Sequence, residues 1–185
     1  KPVHKVTLDA FWIDQTEVTN AMYAKCVTDG QCNPPSSSKS SAHDSYYGNS
    51  VYDNYPVIYV AWSDANKYCS WADRRLPTEA EWEKAARGTE GGLFPWGEAI
   101  PDPKRAMFGQ YHVHEIPILA PVDSLEDGRS PYGLHHMAGN VAEWVQDWFG
   151  FDYYAYMTEK NPPGPTSGRY RSVRGGSWKS KVIML

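Results

Sequence analysis

The sequence has no run of about eighteen apolar residues, so no membrane-spanning helix is expected. It also lacks any block of like charge: 18 Lys and Arg stand against 22 Asp and Glu, for a net charge of −4. Nucleic acid and anionic membrane reward clustered cations, so neither is an expected partner. There is no internal repeat, no phosphate-cradling glycine loop and no Ser-His-Asp order. Cysteine is scarce and odd in number, at three. Cys26 and Cys32 flank a turn-like segment centred on Asp29-Gly30, and either a loop-closing disulfide or two free thiols fits that spacing. The disulfide would favour an oxidising, extracytoplasmic compartment. The chain opens on Lys1-Pro2 with neither methionine nor signal peptide. It is expected to start inside a longer precursor, which leaves the compartment open.

Aromatics and turn formers are abundant: eight Trp, thirteen Tyr, fifteen Gly and fourteen Pro. At 185 residues this composition suits one loop-rich domain held by aromatic anchors. The clearest local signal is a helix with both ends marked. Pro77 stops what precedes it, Thr78 and Glu81 form a capping box, and Glu79, Glu81 and Glu83 sit near the positive end of the dipole. Lys84 and Arg87 sit near the negative end, and Gly88 closes the helix. A shorter helix is predicted from Thr19 or Asn20 to about Thr28. A third, capped by Ser63, places Ala65, Tyr68, Cys69 and Ala72 on one face. Val6 to Ile13, Val141 to Trp148 and Arg169 to Trp178 read as strands, Asn33 to Asn54 as a surface loop, and Gly88 to Gly133 as mostly irregular. The class is α+β.

Several strings stand in a fixed order: Phe11-Trp-Ile-Asp-Gln-Thr-Glu-Val-Thr-Asn20, Tyr55-Pro-Val-Ile-Tyr-Val-Ala-Trp62, Tyr68-Cys-Ser-Trp-Ala72, the helix above, Phe94-Pro-Trp-Gly97, Tyr132-Gly-Leu-His-His-Met-Ala-Gly-Asn-Val-Ala-Glu-Trp144 and Arg174-Gly-Gly-Ser-Trp178. From about Val6 to Trp178 the chain resembles the sulfatase-modifying-factor family, whose founding activity is the formylglycine-generating enzyme. The resemblance implies a C-type-lectin-like variant of the α+β class: short strands, two to three helices and long loops. It implies a single domain over 1–185, without the family's usual C-terminal end. The family's Trp62, Trp71, Trp82 and Trp144 are expected in the core.

The resemblance also implies chemistry that can be checked residue by residue. The family's enzyme oxidises a cysteine in a Cys-x-Pro-x-Arg peptide with oxygen and copper, held by two cysteines just beyond Arg-Gly-Gly-Ser. Soft copper wants thiolates, and Lys179 to Leu185 contains none. Copper is therefore not expected in this chain. Cys69 matches a family cysteine that pairs with one near the C-terminus, a position past Leu185. A calcium site maps onto the carbonyls of Gly139 and Val141 and the carboxylate of Glu143, with His136, a poor ligand for a hard cation, at the upstream oxygen position. A second calcium position falls on Met107, which has no hard oxygen in its side chain. His135, His136, Glu143 and Asp147, or His112 and His114, could suggest zinc, but solvated loop histidines are the better reading.

The expected function is a non-catalytic, ligand- or protein-binding module with variable loops on a lectin-like scaffold, either retroelement-diversified or an accessory domain of a larger protein. Tyr46, Tyr47, Tyr52, Trp148, Phe149, Phe151, Tyr153, Tyr154 and Tyr156 are candidates for loop-borne contact or loop packing. The alternatives are a fragment of the copper-dependent oxidase and a damaged copy without selected function. An exposed sheet edge, left by the missing tail, is a further expectation.

Overall fold

The computed structural model describes residues 4–109 and 119–185. Helix α1 spans Asn20–Thr28, α2 Trp62–Trp71 and α3 Glu79–Arg87, and strands β1 (Glu143–Trp148) and β2 (Arg171–Arg174) form one antiparallel pair. Cα partners run Glu143 with Arg174, Trp144 with Val173 and Trp148 with Arg171, with an irregularity between Trp144 and Trp148. The rest is loops and single 3-10 turns, an α+β arrangement. No helix among the described residues is long and apolar enough to cross a membrane.

α3 forms as its local sequence dictates. Thr78 Oγ1 accepts from Glu81 N at 3.2 Å, and Glu81 Oε2 accepts from Thr78 N at 2.8 Å, a complete capping box. The Arg75 guanidinium grips the same Glu81 carboxylate at 2.6 and 2.7 Å, which fixes the entering chain. Asp147 of β1 then accepts from Glu79 N at 2.8 Å, docking the strand on the electropositive helix start. α1 is capped by Thr19, whose Oγ1 accepts from Met22 N at 3.0 Å. α2 begins one turn position earlier than its polar cap suggests: Ala61 is the N-cap, without a side-chain bond, and Ser63 lies inside the helix. That start lets the Trp62 indole N–H donate to Val145 O at 2.9 Å, tying α2 to β1.

Indole N–H groups staple the fold in three further places. Trp144 donates to Val60 O at 3.0 Å, Trp71 to Asp29 Oδ2 at 3.0 Å and Trp82 to Glu143 Oε2 at 2.7 Å. Of these four tryptophans only Trp82 is buried, so the expectation of four core indoles is corrected. A ring of that size rarely buries fully, and a staple needs only its N–H inside. Arg171 lies between the Trp62 and Trp148 rings, 3.6 and 3.5 Å from their centroids, and clamps α2, β1 and β2 together.

Two apolar clusters make the core. One joins Trp82, Ala85 and Ala86 of α3 to Leu134, Met137 and Val145, with Ile13 against it. The other joins Tyr23, Cys26, Cys32 and Tyr68, with Val18, Val57, Val60 and Cys69 around it. The Asn33–Asn54 loop is pinned to the second region by Tyr46, 1% exposed, whose hydroxyl donates to Pro56 O at 2.6 Å. Gly175 (φ 84°) lies where an added Cβ would come within 3.3 Å of the Trp82 ring, so the turn after β2 requires glycine.

The predicted strands shrink. β1 starts at Glu143 rather than Val141. β2 keeps only Arg171–Arg174, because Gly175 and Gly176 turn the chain at positive φ. Val6 to Ile13 forms no strand; its one ladder contact is a bridge from Thr7 to Lys160. Burial still alternates along it, with Phe11 and Ile13 half-buried between exposed Ala10, Trp12 and Asp14. Among the described residues no strand pairs with it.

Candidate functional site

A cleft of about 670 Å³ opens between the two apolar clusters. The Ala10–Val18 segment runs along it, Leu76, Leu134, Met137 and Trp144 line the side of the first cluster, and Val57, Val60, Tyr68 and Cys69 line the side of the second. Ala65, Tyr68 and Cys69 are the helical face that the spacing in α2 predicts. Trp12 stands on the rim, fully exposed. Among the described residues, no backbone N–H or C=O from Ala10 to Asp14 takes part in a hydrogen bond. The Asp14 side chain is held by Arg74 at 2.6 Å.

Two of the four carboxylates that line this mostly apolar cleft are Glu17 and Glu143. Burial pushes the Glu143 carboxyl up to about 7, against which the single bond from Trp82 pulls. Glu17 is held well above the usual carboxylate range by burial and then by the neighbouring Glu143 charge. Bonds from Asn140 Nδ2 at 2.7 Å and Val141 N at 3.3 Å oppose that rise. Asn140 is fully buried at φ 55°, and its side chain also accepts from Ala120 N at 2.9 Å and donates to Ala120 O at 3.2 Å. It knits the turn before β1 to the Ala120 region and to Glu17. Cys69 lines the opposite wall with its thiol pushed up to about 11 by burial and then by Asp14.

The predicted calcium donors Gly139, Val141 and Glu143 lie in the turn before β1 and at its first residue. The carbonyls of Gly139 and Val141 accept no hydrogen bond among the described residues, and with Glu143 they give a single carboxylate and two carbonyls. Calcium takes about six to eight oxygens. His136 adds none: its Nε2 faces Pro121 O at 3.0 Å and Ser124 Oγ at 3.4 Å. Met107 is buried, and its carbonyl accepts from Asn140 N at 2.9 Å, so it is committed to the turn. Gly139, at φ 87°, is required there because an added Cβ would lie 2.4 Å from that carbonyl oxygen.

The histidines correct another expectation. His135 and His136 are 4% and 3% exposed rather than solvated. His135 Nδ1 pairs with Ser124 O at 2.9 Å and its Nε2 accepts from Arg129 at 2.9 Å, while burial pushes His136 down to about 4. No group of three or more His, Cys, Asp or Glu among the described residues could hold a metal. His112 and His114 lie outside the described residues. Cys26 and Cys32 are joined in a disulfide with Cα atoms 5.3 Å apart, and Cys69 is free.

The loop aromatics divide. Tyr46 is buried, and Tyr47, Tyr52, Trp148, Tyr153 and Tyr154 are half-buried; Phe149, Phe151 and Tyr156 are exposed. Glu17 and Asn140 are the functional positions that composition and motif reading pass over. Glu17 lies buried between half-buried Thr16 and Val18, a carboxylate inside an apolar stretch, and Asn140 lies within the Gly-Asn-Val-Ala-Glu-Trp string.

A family model described as sulfatase-modifying factor enzyme 1-like domain matches residues 1–185. A serine/threonine-protein kinase pkn1 of Chlamydia pneumoniae is 40% identical over 201 residues, covering 97% of this chain and 30% of the kinase. A formylglycine-generating enzyme of Streptomyces coelicolor is 35% identical over 222 residues, covering 96% of this chain and 70% of the enzyme. The chain thus spans under a third of the kinase's length. Treponema denticola variable protein 1 has the same fold at a TM-score of 0.69 and 24% identity, over 97% of this chain and 77% of that one.

Proposed function

The chain belongs to the sulfatase-modifying factor family, with its α+β C-type-lectin-like fold, and within that family we propose a binding domain rather than an oxidase. The observation that carries this reading is the cleft. It is concave and mostly apolar with a few convergent polar groups, which is the anatomy of a ligand site. Its one thiol, Cys69, is pushed up to about 11 by burial and so is protonated at neutral pH. Copper chemistry of the family's kind needs a pair of thiolates, and the other two cysteines are spent on each other.

Resemblance to a stretch amounting to 30% of a protein kinase supports an accessory domain of a larger protein, which supplies affinity while another part acts. The exposed Phe149, Phe151 and Tyr156 give loop-borne apolar contact away from the cleft. The Cys26–Cys32 bond suits an oxidising compartment. The reading does not depend on calcium at Gly139, Val141 and Glu143.

The rival, a stretch of a formylglycine-generating oxidase, has in its favour the 35% identity to a protein of that name. Incubation with a Cys-x-Pro-x-Arg peptide, copper and oxygen separates the two. The binding reading expects no aldehyde in the peptide by mass spectrometry; turnover by this chain would overturn it.

A further inference from the structure

A second cavity, of about 20 Å³, lies apart from the cleft and shares no lining residue with it. Ser40, His43, Tyr46, Tyr52, Tyr55 and Leu119 wall it, so it belongs to the Asn33–Asn54 loop and its immediate neighbours. A space of that size holds one water-sized group. Its lining is unusually aromatic. The centroids of Tyr46, Tyr52 and Tyr55 form a triangle with sides of 5.1, 5.3 and 6.4 Å, and the His43 ring lies 4.7 Å from Tyr52.

Two further observations bear on what such a space would take. The Tyr46 hydroxyl is committed to Pro56 O, whereas the hydroxyls of half-buried Tyr52 and Tyr55 make no hydrogen bond among the described residues. The surroundings are also acidic. Asp53 adjoins Tyr52, and Asp123 accepts from Nδ2 of Asn54, beside Tyr55, at 2.8 Å. Neither aspartate has an ion pair among the described residues, and Lys39, the sole Lys or Arg from Asn33 to Asn54, is taken by Asp44 at 2.9 Å.

Aromatic rings attract a cation that lies within about 6 Å of their centroids. A triangle of these dimensions lets one cation satisfy that limit for all three tyrosines. Phenol oxygens accept N–H bonds, and the unpaired aspartates supply charge of the complementary sign. An apolar guest would leave both free hydroxyls unbonded, and an anion would meet like charge. Size narrows the class further: a primary ammonium is close to water in size, and a trimethylated one is not. We propose that this cavity binds a primary ammonium carried on an alkyl stem, its head held by Tyr52 and Tyr55. This site stands beside the reading of the cleft and does not depend on it.

Two sources carry that group, a lysine side chain of a partner protein and a small alkylamine, and the probes separate them. The whole 185-residue chain is titrated with n-butylammonium and followed by proton NMR, with n-butanol as the neutral control of equal length. Saturable shifts of the Tyr52 and Tyr55 ring signals are expected, with n-butylammonium binding about tenfold tighter than n-butanol. n-Butyltrimethylammonium is expected to bind at least tenfold more weakly than n-butylammonium, because its head exceeds the cavity. An acetylated and amidated Gly-Lys-Gly peptide that matches n-butylammonium supports a partner's lysine, and one that binds more weakly supports a free amine. Tyr52→Leu, checked for folding by circular dichroism, is expected to weaken binding about tenfold, and Tyr52→Phe, which keeps the ring, to weaken it less. Equal affinity for n-butylammonium and n-butanol, or no shift of these ring signals with either, would overturn the inference, and both measurements use the unaltered chain.

Discussion

Asn140 shows how much of this molecule hangs on single side chains. It is fully buried, sits at positive φ, and its amide bonds Glu17 and both backbone groups of Ala120. Asn140→Ala would leave the Glu17 carboxylate and two backbone groups short of partners inside the protein. A loss on the order of 3 kcal/mol or more is expected in urea unfolding. Glu143 carries the pH dependence. Its carboxyl is raised from 4.5 to about 7, so the unfolded chain loses that proton first and stability falls as pH rises from about 4.5 to about 7. Asp147, raised to about 6, acts in the same direction. His136, lowered from 6.5 to about 4, acts in the other, removing stability as pH falls through that window. Glu143→Gln is therefore expected to flatten the loss of Tm between pH 5 and pH 7, by differential scanning calorimetry, and His136→Gln to steepen it. Opposite slopes would contradict these burial assignments.

At the scale of elements, α3 was the most legible part of the chain because its instructions are local: Thr78, Glu81 and Gly88 lie within eleven residues of one another and act on each other directly. Thr78→Ala is expected to cost about 1 kcal/mol by urea unfolding. Glu81→Ala is expected to cost more, because Arg75 also loses its partner. The strands were less legible. Alternation from Val6 to Ile13 correctly marks a pleat, but whether a pleat becomes a strand depends on a neighbour far away in sequence, and the described residues supply only the Thr7 bridge. The histidines failed for a related reason. A polar pair in a turn-rich segment reads as solvated, while Arg129, Pro121 and Ser124 close over it. In the site, Gly139, Val141 and Glu143 were found by motif, whereas the burial of Glu17 depends on Asn140, 123 residues away.

For the whole molecule, the organising fact is a core in two parts with an unfilled cleft between them. The Cys26–Cys32 bond lies in the second part and closes a loop of six-residue separation. The double Cys→Ser variant is expected to lose about 2 kcal/mol by urea unfolding, the chain-entropy value for so short a loop. Among the described residues the halves are joined by α2, α3 and the strand pair, and no ladder reaches Ala10–Asp14. Amide hydrogen exchange read residue by residue addresses that directly. In the free 185-residue chain the amides from Ala10 to Asp14 should exchange near the rate of unstructured peptide while those of Trp82 to Ala86 are protected. Strong protection of Ala10 to Asp14 in the free monomer would contradict the account.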